Sequence, residues 1–210
     1  MKQIMHAAPI LGELKRLLRL PRTGTQNCVY KCRDNNDGTL TLNRCKRAAG
    51  VLHLPERIED RKVAHIGEEA FYGCASLTHV TIPDSVVTIG SRAFARCHRL
   101  NQIKMGNGVS LIGPAAFYEC RSLTQVVIPD TVTRIQIGAF GKCVNLKAVY
   151  FKGNAPSLES DDVFTHAYNV TVFYLPGETT GWSPWFGGRP TARWYPQTSQ
   201  QAQTLHTDGR

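Results

Sequence analysis

The sequence has no apolar run of the roughly 20 residues that a membrane-spanning helix requires. It also contains no HExxH metal motif, no glycine-rich phosphate loop and no acidic calcium loop. Neither His79 nor His98 shares a motif with a serine or cysteine nucleophile. These absences exclude a membrane-spanning helix and the common enzyme signatures. We therefore expect a protein that is not an enzyme and that needs no cofactor or metal.

The N-terminus also lacks the uninterrupted apolar core and the small-residue cleavage site of a signal peptide. His6, Pro9 and Glu13 interrupt its apolar residues. The spacing of leucines and basic residues up to Arg19 predicts a short basic amphipathic helix that ends at Pro21. Such a helix could touch an anionic membrane surface or pack over one end of the fold. The missing signal peptide favours a cytoplasmic location.

What the sequence has in quantity is repetition. Residues 66–152 hold four copies of a 23-residue unit, which begin at Ile66, Ile89, Ile112 and Ile135. Each copy keeps one phenylalanine and one cysteine at fixed places: Phe71, Phe94, Phe117 and Phe140, with Cys74, Cys97, Cys120 and Cys143. A fixed period in the twenties is typical of a solenoid. One copy buries too little apolar surface to fold alone, so the copies must stack on each other.

Each copy changes its apolar period once. Leu77-x-x-Val80-x-Ile82 ends in the alternation of a half-buried strand, and Pro83 ends that strand because it lacks an N–H. The segment before it, through Phe71, predicts a short helical turn with its apolar side facing inward. Stacking then places the strands side by side, in parallel, on one face of the coil.

The pattern LTxVxIPDSVxxIGxxAFxxC over these copies resembles the BspA-like leucine-rich repeat, a bacterial variant of the leucine-rich repeat. The resemblance implies an α/β solenoid. This is a right-handed leucine-rich-repeat coil with a parallel β-sheet on one face and short helical turns on the other, capped at both ends. It also implies a non-catalytic protein- or peptide-binding module, adhesin-like or a scaffold, because the family includes surface adhesins and host-matrix binders. Its members are often secreted or surface-exposed, so the compartment stays open.

Two copies depart from the pattern. The second has Met105-Gly106-Asn107-Gly108 where its neighbours have Ile-Pro-Asp-Ser or Ile-Pro-Asp-Thr, which predicts a looser turn. The fourth has Gln136 in place of glycine and carries a glycine two positions later, at Gly138, so a different turn geometry is expected there.

The chain divides into five segments on this basis. Residues 1–25 are the basic N-terminal segment, and residues 26–65 form an N-terminal cap with an incomplete first repeat. Residues 66–152 are the four repeats. Residues 153–195 hold a degenerate fifth repeat and a Trp/Gly-rich C-terminal cap, and 196–210 form a polar tail that we expect to be disordered. Two caps favour a self-contained domain over a fragment of a longer repeat array.

The Trp/Gly-rich segment admits two interpretations. It resembles the terminal segment that follows the last repeat in many bacterial members of the family. In the first interpretation Trp182, Trp185, Phe186 and Trp194 cover the apolar end of the last repeat. In the second they form a platform for a sugar. The first is favoured.

The formal net charge of +9 is unevenly distributed. Residues 1–65 hold 13 Lys and Arg against 6 Asp and Glu, whereas the repeats are nearly neutral. A basic region can attract nucleic acid or anionic lipid, and this is the alternative function. No aromatic–basic RNA motif or helix-turn-helix accompanies it, so a solvated surface is the simpler interpretation.

The seven cysteines fall into two groups. The four of the repeats point in the same direction in a solenoid, a poor geometry for disulfides, so we expect buried free thiols. Cys28, Cys32 and Cys45, with His53, match no standard zinc spacing. Whether these three pair or bind a metal stays open.

Two rows of side chains remain as candidate binding surfaces. The outward strand positions form the strand row, where repeat proteins of this class bind partners: His79, Thr81, Gln102, Lys104, Gln125, Val127 and Tyr150, with Ala148 beside them. A secondary basic row lies next to the repeat cysteines: Arg96, His98, Arg99, Arg121 and Lys142, with Glu119 as its one acid. We expect a monomer whose strand row binds an unidentified protein or peptide.

Overall fold

The computed structural model describes residues 17–19, 29–46, 48–177 and 179–196, and it arranges them as a β-solenoid. The strands of the described residues are β1 (Leu17–Arg19), β2 (Val29–Asp34), β3 (Thr39–Lys46), β4 (Gly50–His53), β5 (Arg57–Ile58), β6 (Arg61–Ile66), β7 (Leu77–Thr81), β8 (Thr88–Ile89), β9 (Gln102–Lys104), β10 (Leu111–Ile112), β11 (Gln125–Ile128), β12 (Arg134–Ile135), β13 (Ala148–Phe151), β14 (Ser157–Leu158), β15 (Thr171–Tyr174), β16 (Trp185–Phe186) and β17 (Arg189–Arg193). Each full repeat is one coil with two strands, a longer one and a two-residue one.

The two strands of each coil belong to different sheets. The two-residue strands β8, β10, β12 and β14 stack in parallel in a long sheet with the order β1-β2-β3-β6-β8-β10-β12-β14, in which β5 pairs with β6. Strands β6 and β3 continue the parallel stack, and β2 and β1 extend it by antiparallel pairing. The longer strands form the opposite side, which we call the strand face. Its members are also parallel from coil to coil, as the repeat pattern predicts.

The strand face is not continuous. It consists of a three-stranded sheet, β4-β7-β9, and a five-stranded sheet, β11-β13-β15-β17-β16. No ladder joins β9 to β11, although they belong to consecutive coils. We call this interruption the break. The repeats predict a single uninterrupted sheet on this face, and that prediction is wrong at the break.

Between the long sheet and the strand face lies a core built from equivalent residues of successive coils. The phenylalanine rings of successive coils stack with centroids 4.9 to 5.9 Å apart, from Phe71 through Phe94, Phe117 and Phe140 to Phe164. Every ring of this ladder is fully buried. Burying a Phe side chain contributes roughly 1.5–3 kcal/mol, so each coil depends on its neighbours for much of its stability.

The helical turns expected beside the sheet are absent, and this prediction is wrong. The described residues contain one short 3-10 helix, Asp161–Phe164, and no α-helix. Glu69, Arg92 and Ala115 occupy equivalent places and have φ between 51° and 53°, which a right-handed helix cannot accommodate.

The hydrogen bonds explain this geometry. The N–H groups of Glu69, Phe71 and Gly73 donate to carbonyl oxygens of Ser91, Ala93 and Ala95 in the next coil, at 2.7 to 2.9 Å. Alternate amides therefore point along the solenoid axis. They are satisfied by the neighbouring coil and are lost to any i to i−4 helix.

The irregular turn of the second copy is packed tightly. The Asn107 N–H donates to the Asp84 carboxylate at 2.7 Å. A Cβ atom on Gly108 would lie 1.9 Å from the Asp84 carbonyl oxygen. The glycines permit a close approach between coils, so the expected loosening is not observed. In the fourth copy Gly138 takes the positive φ (64°) that Glu69, Arg92 and Ala115 have in the other three.

The ends of the described solenoid are hairpins. β2 and β3 pair antiparallel at the N-terminal end, and β16 and β17 pair antiparallel at the other. Trp182 packs on Phe151, Tyr174 and Phe186, with ring centroids 5.0 to 5.1 Å apart. Trp185 is 65% exposed, so it is not part of this covering cluster.

Several predictions concern residues whose structure is not described. Leu17–Arg19 form β1, antiparallel to β2, and the rest of the predicted N-terminal helix lies outside the described residues. Cys28 and the tail from residue 197 also lie outside them. Cys45 is disulfide-bonded, whereas Cys32 is a free thiol. Across the described ranges, no helix has the length and apolarity needed to cross a membrane.

Candidate functional site

The strand face presents two aligned rows of outward side chains, because alternate residues of a strand point to the same side. Strand register defines both rows on each side of the break. The first contains His53, Thr81 and Lys104, then Val127, Tyr150 and Phe173. The second contains Val51, His79 and Gln102, then Gln125, Ala148 and Thr171. The intervening positions, such as Val80 and Val126, are buried.

The predicted strand-row residues all lie on this face. Gln102, Lys104, Gln125 and Val127 are exposed, and His79, Thr81 and Tyr150 are half-buried. His79 keeps its Nδ1 atom 2.9 Å from Thr78 Oγ1. The side chains therefore share one surface as predicted, but the break separates those of β7 and β9 from those of β11 and β13.

An aromatic cluster ends the first row. The Tyr150 ring stacks on Phe173 with centroids 5.0 Å apart, and the Trp194 ring packs against Tyr150 with centroids 5.0 Å apart at a 54° tilt. We call Tyr150, Phe173 and Trp194 the aromatic wall. Sequence reasoning missed Phe173, although it lies 23 residues after Tyr150, and it placed Trp194 in the cap.

A groove of about 720 Å³ leads along the strand face to the aromatic wall. Its lining includes Thr81, Gln102, Lys104, Val127, Lys152 and Trp194, so it crosses the break. A second depression, about 860 Å³, follows the break itself between Gln102 and Gln125. The break therefore deepens the surface at the middle of the strand face.

Four polar side chains of the strand face are unengaged. Gln102, Lys104 and Lys152 in the groove, and Gln125 in the adjoining depression, form no side-chain hydrogen bond or ion pair with any described residue. The Trp194 indole N–H has no acceptor among those residues either, whereas that of Trp182 donates to the Gly153 carbonyl oxygen at 3.3 Å. Glu56 and Asp84 line the opposite end of the groove. The groove is thus negative at the β4–β7 end and positive towards the aromatic wall.

The secondary basic row has a different character, because its cations converge on one acid. Glu119 is nearly buried, with a side chain that is 11% exposed. Around it lie Arg96 Nε at 3.5 Å, and His98 Nε2, Arg121 and Lys142 Nζ at 3.7 Å. Arg96, Glu119 and Lys142 occupy the same repeat position in three successive coils. We call these five residues the flanking cluster.

The charges of the flanking cluster are partly neutralised within the fold. Arg96 also lies over the Tyr72 ring at 5.7 Å, and Lys142 lies over the Tyr118 ring at 5.3 Å. Contact with the Tyr118 hydroxyl raises the pKa of Lys142. Arg99, by contrast, is exposed and has no acidic partner among the described residues. The row is therefore less available to an outside anion than its composition indicates.

The repeat thiols are not placed for nucleophilic chemistry. Cys97, Cys120 and Cys143 are fully buried, and Cys74 is nearly so. The thiols of Cys97, Cys120 and Cys143 donate to the carbonyl oxygens of Phe71, Phe94 and Phe117, each in the preceding coil, at 3.1 to 3.3 Å. Burial raises the pKa of each thiol, which disfavours the thiolate that reacts. No group of three or more potential metal-ligating side chains occurs among the described residues.

Comparison with known proteins gives a consistent family. The chain matches the model of the BspA type leucine rich repeat region in six copies, over residues 59–184. No curated protein matches the chain. A leucine rich repeat protein from T. pallidum is 27% identical with a TM-score of 0.65, over 69% of this chain and 68% of that one.

Two further solved structures are similar. A leucine-rich repeat protein from Bacteroides capillosus is 32% identical with a TM-score of 0.54, over 59% of this chain and 94% of that one. A leucine rich cell surface protein from Faecalibacterium prausnitzii is 27% identical with a TM-score of 0.61, over 74% of this chain and 38% of that one.

Proposed function

Because the chain belongs to the family of BspA-type leucine-rich repeat proteins, we propose that it binds a protein partner through its strand face. Proteins of this family are repeat proteins that are generally not enzymes, and the family indicates a binding or scaffold role. The observation that carries the proposal is the groove, in which unengaged polar side chains lie beside the aromatic wall.

The strand face is suited to binding because its side chains are held in place before a partner arrives. Each stands on a strand that is paired on at least one side, so its backbone loses little freedom when a partner docks. Tyr and Trp dominate the binding energy of many interfaces. Tyr150 and Trp194 are half-buried against each other and still line open surface. We infer that they anchor the partner, while His79, Thr81, Gln102, Lys104, Gln125 and Val127 set specificity.

The flanking cluster is the weaker candidate for the same role. An outside anion would have to compete with the Glu119 carboxylate, which already lies within 4 Å of Arg96, Arg121 and Lys142. The strand face has no such internal competitor at Lys104 or Lys152. The alternative of an anionic partner on the basic N-terminal segment concerns residues that are mostly outside the described ranges.

A matched pair of variants tests the proposal. Lys104→Glu and Arg99→Glu both reverse an exposed charge without an acidic partner among the described residues, on the strand face and beside the flanking cluster respectively. A photo-crosslinking residue at position 125 or at position 99 would report which surface meets the partner. We expect crosslinks from position 125. The double change Lys104→Glu and Tyr150→Ala should remove them, and Arg99→Glu should leave them unchanged.

The control is the fold itself, measured by circular dichroism and thermal melting of every variant. Crosslinks that form only from position 99, or capture that survives the double change on the strand face, would contradict the proposal. Capture that disappears at moderately raised salt would favour a mainly electrostatic partner such as nucleic acid.

A further inference from the structure

We propose that the strand-face groove recognises a proline-rich segment of its partner, in the polyproline II conformation, with an acidic residue three positions from a proline. This inference rests on the proposed binding function and adds the chemistry of the ligand. Its basis is a groove lined by Gln102, Lys104 and Trp194. Tyr150 packs against Trp194, and Gln125 lines the adjoining depression.

The spacing of the groove decides which backbone conformation fits. Lys104 and Tyr150 stand in the same row and are two coils apart. The long sheet stacks the same coils without interruption through β10, β12 and β14, so two steps of the usual strand separation give roughly 10 Å. An extended β-peptide that runs along the row returns a side chain to the same side after about 7 Å and again after about 13 Å. A polyproline II helix has three residues per turn and a rise of about 3.1 Å, so residues i and i+3 face the same side about 9 Å apart.

The aromatic wall supplies the second feature that such a ligand needs. Polyproline II segments dock in grooves lined by aromatic rings. Trp194 contacts Tyr150 at a 54° tilt, so the two rings together present an angled apolar surface on which a proline ring can pack. Val127, which is 39% exposed, continues the apolar floor towards Lys104. A proline at the wall would therefore contact apolar surface on more than one side.

Hydrogen-bond donors complete the match. A polyproline II backbone makes no internal hydrogen bonds, so its carbonyl oxygens need donors from the groove. Gln102, Gln125 and the Trp194 indole N–H have donors that no described residue uses. Proline lacks an N–H, so such a peptide has few backbone hydrogen-bond donors and needs few acceptors in the groove.

Charge fixes where the acidic residue lies. Glu56 and Asp84 at the β4–β7 end would repel a carboxylate, whereas Lys104 and Lys152 would attract one. Both lysines lack an acidic partner among the described residues. Lys104 lies in the row about one polyproline II turn from Tyr150, whereas Lys152 is only two residues from Tyr150 along the chain. The acidic side chain is therefore assigned to Lys104 and the proline three positions away to the aromatic wall.

The test uses the full chain and three synthetic peptides of twelve residues. The first is all proline with one glutamate at its centre, and the second has glutamine in place of the glutamate. The third keeps the glutamate and replaces the prolines by alternating glycine and serine, which makes it a flexible coil. Titrations followed by amide and indole NMR shifts detect weak binding and locate it. We expect the glutamate peptide to bind about tenfold more tightly than the glutamine peptide, and the flexible peptide not to bind.

The three tryptophans provide an internal control. The Trp194 indole signal should shift on binding, and that of Trp182, whose N–H already donates to Gly153, should not. Lys104→Gln should remove the preference for glutamate over glutamine, and Arg99→Gln should leave it unchanged.

The inference is overturned if the flexible peptide binds as well as the proline peptide, if no peptide shifts Trp194, or if Lys104→Gln keeps the glutamate preference. The inference is also overturned, in favour of a sugar ligand, by one further result. In it, a neutral oligosaccharide displaces the proline peptide, and Lys104→Gln changes the affinity of neither ligand. If the peptides fail while crosslinking from position 125 succeeds, the strand face binds another kind of protein segment and the proposed function stands.

Discussion

The Sγ atom of Cys97 lies 3.2 Å from the carbonyl oxygen of Phe71, which belongs to the preceding coil. Cys120 and Cys143 repeat this contact with Phe94 and Phe117. Each of these carbonyl oxygens also accepts the backbone N–H of the cysteine of its own coil, at 3.2 to 3.3 Å. The thiol therefore adds a second hydrogen bond that joins two coils.

Alkylation of the native protein tests this arrangement. Burial raises the pKa of Cys143 to about 12 and that of the partly buried Cys32 to about 11. Only the thiolate reacts, so both should label slowly at pH 8. Cys32 should react first, at a rate that keeps rising with pH towards 11 and does not level off near the ordinary value of 9.0. Site-resolved mass spectrometry should find the repeat thiols unlabelled until denaturant is added, and rapid native labelling of them would contradict the assignment.

Replacing Gly108 with alanine should destabilise the fold. The new Cβ atom would lie 1.9 Å from the Asp84 carbonyl oxygen and 3.0 Å from that of Val86, so two coils would have to move apart. Overpacking of this kind costs about 1–3 kcal/mol. Urea unfolding should show the loss, and Asn107→Ala on the exposed side of the same turn should not. Equal stability of the two variants would mean that the coils separate easily there.

The Glu119→Gln change should lower the free energy of unfolding by about 1 kcal/mol, since the three cations around it are themselves about half exposed. Glutamine keeps the shape of the side chain but leaves Arg96, Arg121 and Lys142 to repel one another. Salt screens that repulsion, so adding sodium chloride should restore part of the stability. Glu69→Gln is the control, because Glu69 pairs with Arg92 alone among the described residues. A loss as large for Glu69→Gln, or no salt effect for Glu119→Gln, would refute the role given to the cluster.

Stability should fall in acid partly through Asp37. The Thr39 hydroxyl and backbone N–H donate to its carboxylate at 2.6 and 2.9 Å, and these bonds lower its pKa below 3.8. A lowered folded-state pKa contributes stability above pH 3.8 that is lost as the pH falls through the folded value. Asp37→Asn should therefore weaken the dependence of stability on pH between 5 and 2. Asp130→Asn, which changes an exposed carboxylate with no hydrogen bond to a described residue, should follow the wild type.

The repeat pattern predicts the strand face well because the relevant information is local. Alternation from Leu77 to Ile82, ended by Pro83, determines which side chains point outward, and one coil then determines the next. His79, Thr81 and their equivalents could be identified in this way. The family was also identifiable from the same residues.

The helical turn was not predictable by the same means. Ala70 and Glu68 favour a helix by propensity, but the N–H groups of Glu69 and Phe71 bond to carbonyl oxygens 22 positions away. These hydrogen bonds between coils offset the cost of a positive φ at Glu69. They join two repeats, so the sequence of a single repeat does not reveal them.

The two candidate binding surfaces were likewise only partly predictable from the sequence of one repeat. Arg96, Glu119 and Lys142 are 23 residues apart, so the period predicts that they are neighbours in successive coils. The approach of His98 and Arg121 to the same carboxylate depends on side-chain packing that the period does not specify. Trp194 follows the last coil and obeys no period. Its contact with Tyr150, and the break between β9 and β11, depend on packing that the repeat does not encode.

The amides that point along the solenoid axis also determine how the molecule bears tension. Each junction between coils is held by hydrogen bonds that lie along the solenoid axis. A force applied to the two ends therefore acts on all junctions in series. The junction that contains the break has the turn bonds and the long sheet but no strand ladder between β9 and β11. Stretching the molecule from its ends would therefore separate these two coils first. The strand-face groove crosses the same junction, so a ligand that spans Lys104 and Tyr150 would reinforce the solenoid where it is held by the fewest hydrogen bonds.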